Sequence, residues 1–168
     1  KVVDELESPN LLGVPLGVYG ISYGATTAIH LASVDSRVKT VVAVAPFSDM
    51  RSEVSHYVRT IAMPGVGRLL SEEVIQEAVD EAGELGGYEP DDADAAVAIQ
   101  RTQIPVLLIH GKSDFIIPHE HSQRIHASAP HTSDLVELRA AGHLSVWLDP
   151  LGRVERRALV WFDEQLTP

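Results

Sequence analysis

The 168-residue chain contains no cysteine. That absence excludes a disulfide framework, a thiolate metal site and a cysteine nucleophile. It leaves the compartment open. No apolar run approaches the ~20 residues that a membrane-spanning helix needs, and no signal-peptide pattern marks the start. Basic residues are few: 13 Lys and Arg stand against 24 Asp and Glu, for a formal net charge of −11. A chain so acidic repels phosphate backbones, and no Lys/Arg cluster overrides the average, so nucleic acid is not an expected partner. Internal repeats and low-complexity tracts are also lacking. What remains, 45% hydrophobic and 22% charged, suits a globular chain and not a disordered one. The length suits one domain, 1–168, with a sizeable core.

Residues 1–6 read as the last turns of a helix, broken at Pro9 and Asn10. Residues 16–19 read as a short buried strand. ATTAIHLA at 25–32 reads as a helix that packs through small residues. VKTVVAVA at 38–45 is β-branched and almost wholly apolar, which suits a parallel strand covered on both faces. A long stretch between Pro46 and Gln103 carries turn signals at 63–65 and 86–87 around an amphipathic segment, 72–82, and reads as a helical insertion. Residues 91–101 read as a further helix with acidic residues in its first turn. IPVLLIH at 104–110 is a third strand, 118–129 a helix, 135–138 a fourth strand and 153–166 a final amphipathic helix. This alternation predicts an α/β fold: a mostly parallel sheet with right-handed crossovers, flanked by helices. In such sheets functional residues gather just beyond the carboxyl ends of the strands.

Three such ends carry chemistry. The first strand runs into Gly20-Ile21-Ser22-Tyr23-Gly24, a G-x-S-x-G pattern followed at once by a helix. A serine lifted on so tight a turn holds its hydroxyl exposed as a nucleophile. Side chains two residues before and after it would collide with neighbouring backbone, hence Gly20 and Gly24. The Tyr23 N–H, at the helix start, is placed to bind a developing oxyanion. The third strand ends in His110-Gly111-Lys112-Ser113-Asp114. Asp114 there is able to reach an imidazole or to bond its own turn. The fourth strand ends in Ala141-Gly142-His143, a loop histidine beside a glycine that permits close backbone approach. Ser22, Asp114 and His143 follow one another in the order nucleophile, acid, base, each at a separate strand end.

With YGISYGA at 19–25, VAPFSD at 44–49, IPVLLIHGKSDFIIP at 104–118 and AGHLSVW at 141–147, the chain resembles the α/β-hydrolase superfamily. Its flavour is that of the branch of prolyl-oligopeptidase-like and dienelactone-hydrolase-like esterases and peptidases. The resemblance implies a serine hydrolase that cleaves a carboxylic ester through a Ser-His-Asp triad and an acyl-enzyme. A peptidase or a thioesterase on the same fold is the alternative, as is a non-catalytic binding module if the domain is incomplete. It assigns the helical stretch 50–103 to a cap, and offers Asp49, after the second strand, as a rival acid. It implies a small ester or acyl substrate and no cofactor or metal.

Superfamily members normally place four strands before the nucleophile strand, and a loop among them supplies the second oxyanion donor. Here only 21 residues precede Ser22. The chain is therefore expected to be the C-terminal part of the fold, lacking the N-terminal strands, with Leu16 and Val18 on an unpaired apolar edge.

Other features read plainly. His119-Glu120-His121 reads as a solvated helix start, since histidines at i and i+2 diverge on a helix and no third ligand is evident. His110 is expected to pack at its strand end. His56, Tyr57, Met63 and Leu69 are candidates for an acyl pocket. Trp147 is expected to brace the His143 loop and Trp161 to lie in the core. Glu72, Glu73, Glu77, Asp80 and Glu81 form a solvated face.

Overall fold

The computed structural model describes Val3, residues 15–63 and residues 65–167. The helix expected over residues 1–6, Val3 apart, and the break at Pro9 and Asn10 lie outside the described residues, as does Pro64.

Strands that are apolar at every position need a layer on each face, because alternate side chains point opposite ways. The sheet answers that demand. β1 (Leu16–Ile21), β2 (Val38–Val44), β3 (Val106–Gly111) and β4 (Ser133–Leu138) lie in that order, and every neighbouring pair is parallel. Val41, Ala43, Val106 and Leu108 point to one face. There they meet Ala25, Ala28 and Ile29 of α1 (Tyr23–Val34), together with Ile99 and Ile125. Val42, Val44, Leu107 and Ile109 point to the other, where Val146, Val154 and Ala158 cover them. Trp161 packs on the edge of that second cluster and donates its indole N–H to Thr40 Oγ1 at 2.7 Å.

Among the described residues β1 pairs with β2 alone. Leu16 and Val18 are partly buried against the first cluster and so turn onto a sheet face. On the opposite face a side chain at Gly17 would meet the ring of Phe162 at 2.6 Å, so glycine lets the last helix lie close across β1.

The crossover from β2 to β3 is the helical stretch expected. It holds α2 (Met50–Tyr57), a π turn (Val58–Ala62), α3 (Glu72–Gly86) and α4 (Ala95–Ala98). Asp49 caps α2, its carboxylate accepting from the Ser52 N–H at 2.8 Å, and Ser71 caps α3. Gly87, with φ 68°, ends α3 in the left-handed conformation. Ile75, Val79 and Gly83 face inward, and the acidic residues from Glu72 to Glu81 are exposed as expected.

The single helix expected over 91–101 is instead broken into a 3-10 turn (Pro90–Asp92), α4 and a second 3-10 turn (Ile99–Arg101). Asp94 is the reason. Its backbone is extended and bridges to Asp49, while its side chain caps a fresh start by accepting from the Val97 N–H at 2.9 Å.

Beyond β3 come α5 (Glu120–Ser128), then, after β4, α6 (His143–Leu148) and α7 (Arg153–Leu166). His143, expected in a loop, is the first residue of α6. Among the described residues no helix is long and apolar enough to cross a membrane.

Candidate active site

Ser22 leaves β1 with φ 56°, in the left-handed region that non-glycine residues rarely enter. Its N–H donates to the Val44 carbonyl at 2.7 Å, and its own carbonyl accepts from the Ala25 N–H at 2.9 Å. The reversal brings Gly20 against Gly24, and a Cβ on Gly20 would fall on the Gly24 carbonyl. Gly24 differs from expectation, since a Cβ there meets nothing within 4 Å among the described residues. The turn therefore forbids a side chain at 20 and, among the described residues, leaves room for one at 24. Gly20→Ala should destabilise the fold by about 1–3 kcal/mol, as overpacking against backbone does. Urea denaturation checks this, and Gly24→Ala should fall well below it.

Ser22 occupies the N-cap of α1 but makes no side-chain cap bond. Its Oγ instead lies 3.1 Å from His143 Nε2, and His143 Nδ1 lies 2.7 Å from Asp114 Oδ2. These residues come from the ends of β1, β4 and β3, so the sheet gathers positions 121 residues apart. The loops after β3 and β4 are laced together, with the Ser113 N–H donating to the Ala141 carbonyl at 2.9 Å. Gly111 permits this, because a Cβ there would fall on that same carbonyl. A Cβ on Gly142 would sit 3.2 Å from the Ser113 carbonyl, the close approach expected of it. The Gly142 N–H donates to Ser145 Oγ at 2.8 Å, and that hydroxyl donates to the Gly142 carbonyl at 3.0 Å. Ser145 thus braces His143. Trp147, expected to do so, is 58% exposed.

The Asp114 side chain is wholly buried. Oδ1 accepts from the N–H groups of Ile116 and Ile117, at 3.0 and 2.9 Å. Burial alone would raise its pKa, but hydrogen bonding from His110, His143 and the Ile117 N–H outweighs it and holds the carboxyl well below its ordinary range. In the unfolded chain an aspartate titrates near pH 4. A folded pKa below that means the ionised Asp114 stabilises the fold fully above about pH 4–5 and progressively less as pH falls further. The stability gap between wild type and Asp114→Asn, from urea curves at a series of pH values, should therefore narrow below about pH 4.

His110 packs at its strand end as expected and is fully buried. Its Nδ1 is 2.6 Å from Ser122 Oγ and its Nε2 2.9 Å from the Ile117 carbonyl. It also approaches Asp114 Oδ2 at 3.4 Å, which residue order in the chain did not reveal.

Asp49 is not brought to His143. Its carboxylate accepts from Ser48 Oγ, Ser52 Oγ and the Ser52 N–H at 2.7–2.8 Å. Burial pushes its pKa up, and those bonds from Ser52 and Ser48 more than reverse the push. The Tyr23 N–H, by contrast, opens α1 beside Ser22 and has no acceptor among the described residues.

An apolar cavity of about 300 Å³ adjoins Ser22, walled by Tyr23, Phe47, Met50, Val54 and Ile117. Tyr57, expected at a pocket, lines it. Met63 lines a separate cavity, Leu69 is 84% exposed and lines neither, and His56 bonds the Phe115 carbonyl at 2.8 Å. His121 corrects the reading of a solvated helix start, being 2% exposed. Its position on α5 turns toward the end of β2, while His119 lies near Glu137 on another side. Among the described residues no group of three His, Asp or Glu side chains is placed to hold a metal.

The sequence profile of the prolyl oligopeptidase family matches residues 13–167. The chain belongs to the prolyl oligopeptidase family. Its parallel sheet with helices on both faces is the α/β-hydrolase fold of the solved structures it is similar to. This prolyl oligopeptidase family chain is 37% identical over 59 residues to the uncharacterised protein YfhR of Escherichia coli K12, across 35% of this chain and 21% of that protein. The esterase domain of a Rhodothermus marinus protein shares the fold with a TM-score of 0.70 at 20% identity, over 98% of this chain and 66% of that one. The acylaminoacyl peptidase of Pyrococcus horikoshii shares it at 0.67 and 19% identity, over 98% of this chain and 26% of that one. The chain thus spans less than two thirds of the length of these relatives.

Proposed function

We propose that this family member hydrolyses carboxylic esters through an acyl-enzyme, with Ser22 as nucleophile, His143 as general base and Asp114 as the acid that orients it. The run of hydrogen bonds from Ser22 Oγ through His143 to Asp114 Oδ2, at 3.1 and 2.7 Å, carries the reading. With its Nδ1 proton donated to Asp114, His143 offers the Nε2 lone pair to the Ser22 hydroxyl. Ser22 Oγ attacks the acyl carbon as its proton passes to Nε2. Asp114, already held ionised by its donors, stabilises the imidazolium. The Tyr23 N–H, free of other acceptors among the described residues, donates to the oxygen that gains charge. His143 then returns the proton to the departing alcohol, and water repeats the sequence on the acyl-enzyme. The cavity beside Ser22 takes the acyl chain, and residues 50–103 form the cap over it.

Intact-mass measurement of the full-length protein with a fluorophosphonate probe tests this. One adduct, mapped to the peptide that holds Ser22, is expected. No adduct on folded protein overturns the assignment.

The family match favours a second reading, in which the same centre cleaves an amide or peptide bond. Paired 4-nitrophenyl ester and 4-nitroanilide substrates with one acyl group separate the two. Comparable kcat/KM on the anilide would make the protein a peptidase.

A further inference from the structure

The cavity beside Ser22 does not end the apolar space under α2. Met50 and Val54 line it, and the same two residues line a second cavity of about 320 Å³ between α2 and α3. They stand four positions apart and so share one stripe of the helix. That stripe is the partition between the two cavities, and Val58 continues it along the second. Val74, Ile75, Ala78 and Val79 of α3 form the far wall.

Among the described residues no charged side chain lines the second cavity. A single one, Glu53, lines the first, and its Oε2 is closed off, 3.3 Å from His121 Nε2. Tyr57 at the first cavity and Met63, Val74 and Tyr88 at the second are 43–49% exposed. Large apolar side chains left open to water along one continuous surface mark a place that binds something apolar. The core side of α3 does not need them, since Ile75, Val79 and Gly83 already close it.

We propose that the substrate is a long-chain acyl ester, whose carbonyl lies at Ser22 and whose alkyl tail passes the partition of Met50 and Val54 into the second cavity. The inference rests on Ser22 being the nucleophile. Continuity decides the occupant: the first cavity opens onto Ser22, and the second shares its wall. A short acyl group stops at Met50 and Val54, and only a long one uses the space beyond. The two cavities, about 300 and 320 Å³, are nearly equal, so the second doubles the room and brings the site well inside the usual range for small-molecule sites. Met50, unbranched and only partly buried, is a side chain able to turn aside for the tail.

The test uses the full-length protein and the 4-nitrophenyl esters of butanoate and dodecanoate, each below the concentration at which it aggregates. A methylene moved from water into an apolar site is worth about fourfold. The expected result is a kcat/KM at least about tenfold higher for dodecanoate, and a smaller ratio overturns the proposal. Ala78→Trp sets a bulky ring in the second cavity. Ala78 is exposed and lines that cavity but not the first, so the triad and the space beside it are untouched. The variant should lose at least about tenfold in kcat/KM on dodecanoate and stay within about twofold of the wild type on butanoate. Circular dichroism and a thermal melt establish that it is folded. A loss on dodecanoate no greater than that on butanoate overturns the proposal. Should the variant not fold, inhibition of butanoate hydrolysis in the wild type decides: dodecanoate binding at least about tenfold tighter than hexanoate supports the second cavity, and equal inhibition overturns it. Fluorophosphonate labelling of the wild type separates the two readings. Without it the Ser22 assignment fails; with it and no preference for the long chain, only the role of the second cavity fails.

Discussion

Ser22→Ala is expected to lower kcat of the full-length protein on an activated ester by about 10⁶-fold, the scale seen when a triad nucleophile is removed. The variant should remain folded. Ser22 makes no helix-cap bond through its hydroxyl, so removing Oγ deletes the contact with His143 Nε2 and little else. Alanine and serine meet the same strain at φ 56°, so the turn gains no relief. Stability should change by less than about 0.5 kcal/mol, as for substitutions away from buried features. Initial rates, with active-site titration to exclude traces of wild type, check the first number, and urea curves the second. Activity within tenfold of the wild type would remove Ser22 from the mechanism.

Asp114→Asn should lower kcat by about 10⁴-fold with His143 still in place. The loss comes from the tautomer. Asp114 Oδ2 only accepts, which keeps the proton on His143 Nδ1 and leaves Nε2 free to take the serine proton. An amide NH₂ turned toward Nδ1 reverses that preference and places the proton on Nε2, where it blocks the base. Asp49→Asn provides the contrast. Asp49 bonds Ser48 and Ser52 and caps α2, and asparagine caps helices about as well as aspartate. That variant should keep activity within a few-fold and lose no more than about 1 kcal/mol of stability. Steady-state kinetics on both variants decide the matter. A larger loss in Asp49→Asn would transfer the role of triad acid to it.

The two carboxylates show where sequence reading reached and where it stopped. Both follow a strand, sit in turns and lie between Ser22 and His143, so order along the chain does not rank them. What favours Asp114 in the sequence is the fit of the Gly-Lys-Ser-Asp turn. What separates them physically is the close passage of the loops after β3 and β4, which Gly111 and Gly142 permit and which seats Asp114 beside His143. Among eight histidines, His143 was distinguished by following the fourth strand, while the equally plain His121 passed as a solvated residue. Its burial is conferred by Ser48 and Glu53, some 70 residues earlier in the chain, and no local pattern in α5 announces it.

The sequence by itself determined the parallel sheet, its two covering layers and the place of the turn at Ser22. VKTVVAVA and IPVLLIH are apolar at both parities of a strand, and only a doubly covered strand buries both. GISYG requires a strained turn between strand and helix, a demand written in five consecutive residues. Tertiary structure alone decided the break of residues 91–101 into short turns, the bracing of His143 by Ser145 and the placing of Glu53 on the wall of the cavity. Each of these depends on which distant backbone or side chain arrives alongside, as Asp49 does at Asp94. Periodicity reports which face of an element is apolar, whereas the partner of a polar group is set by packing between elements.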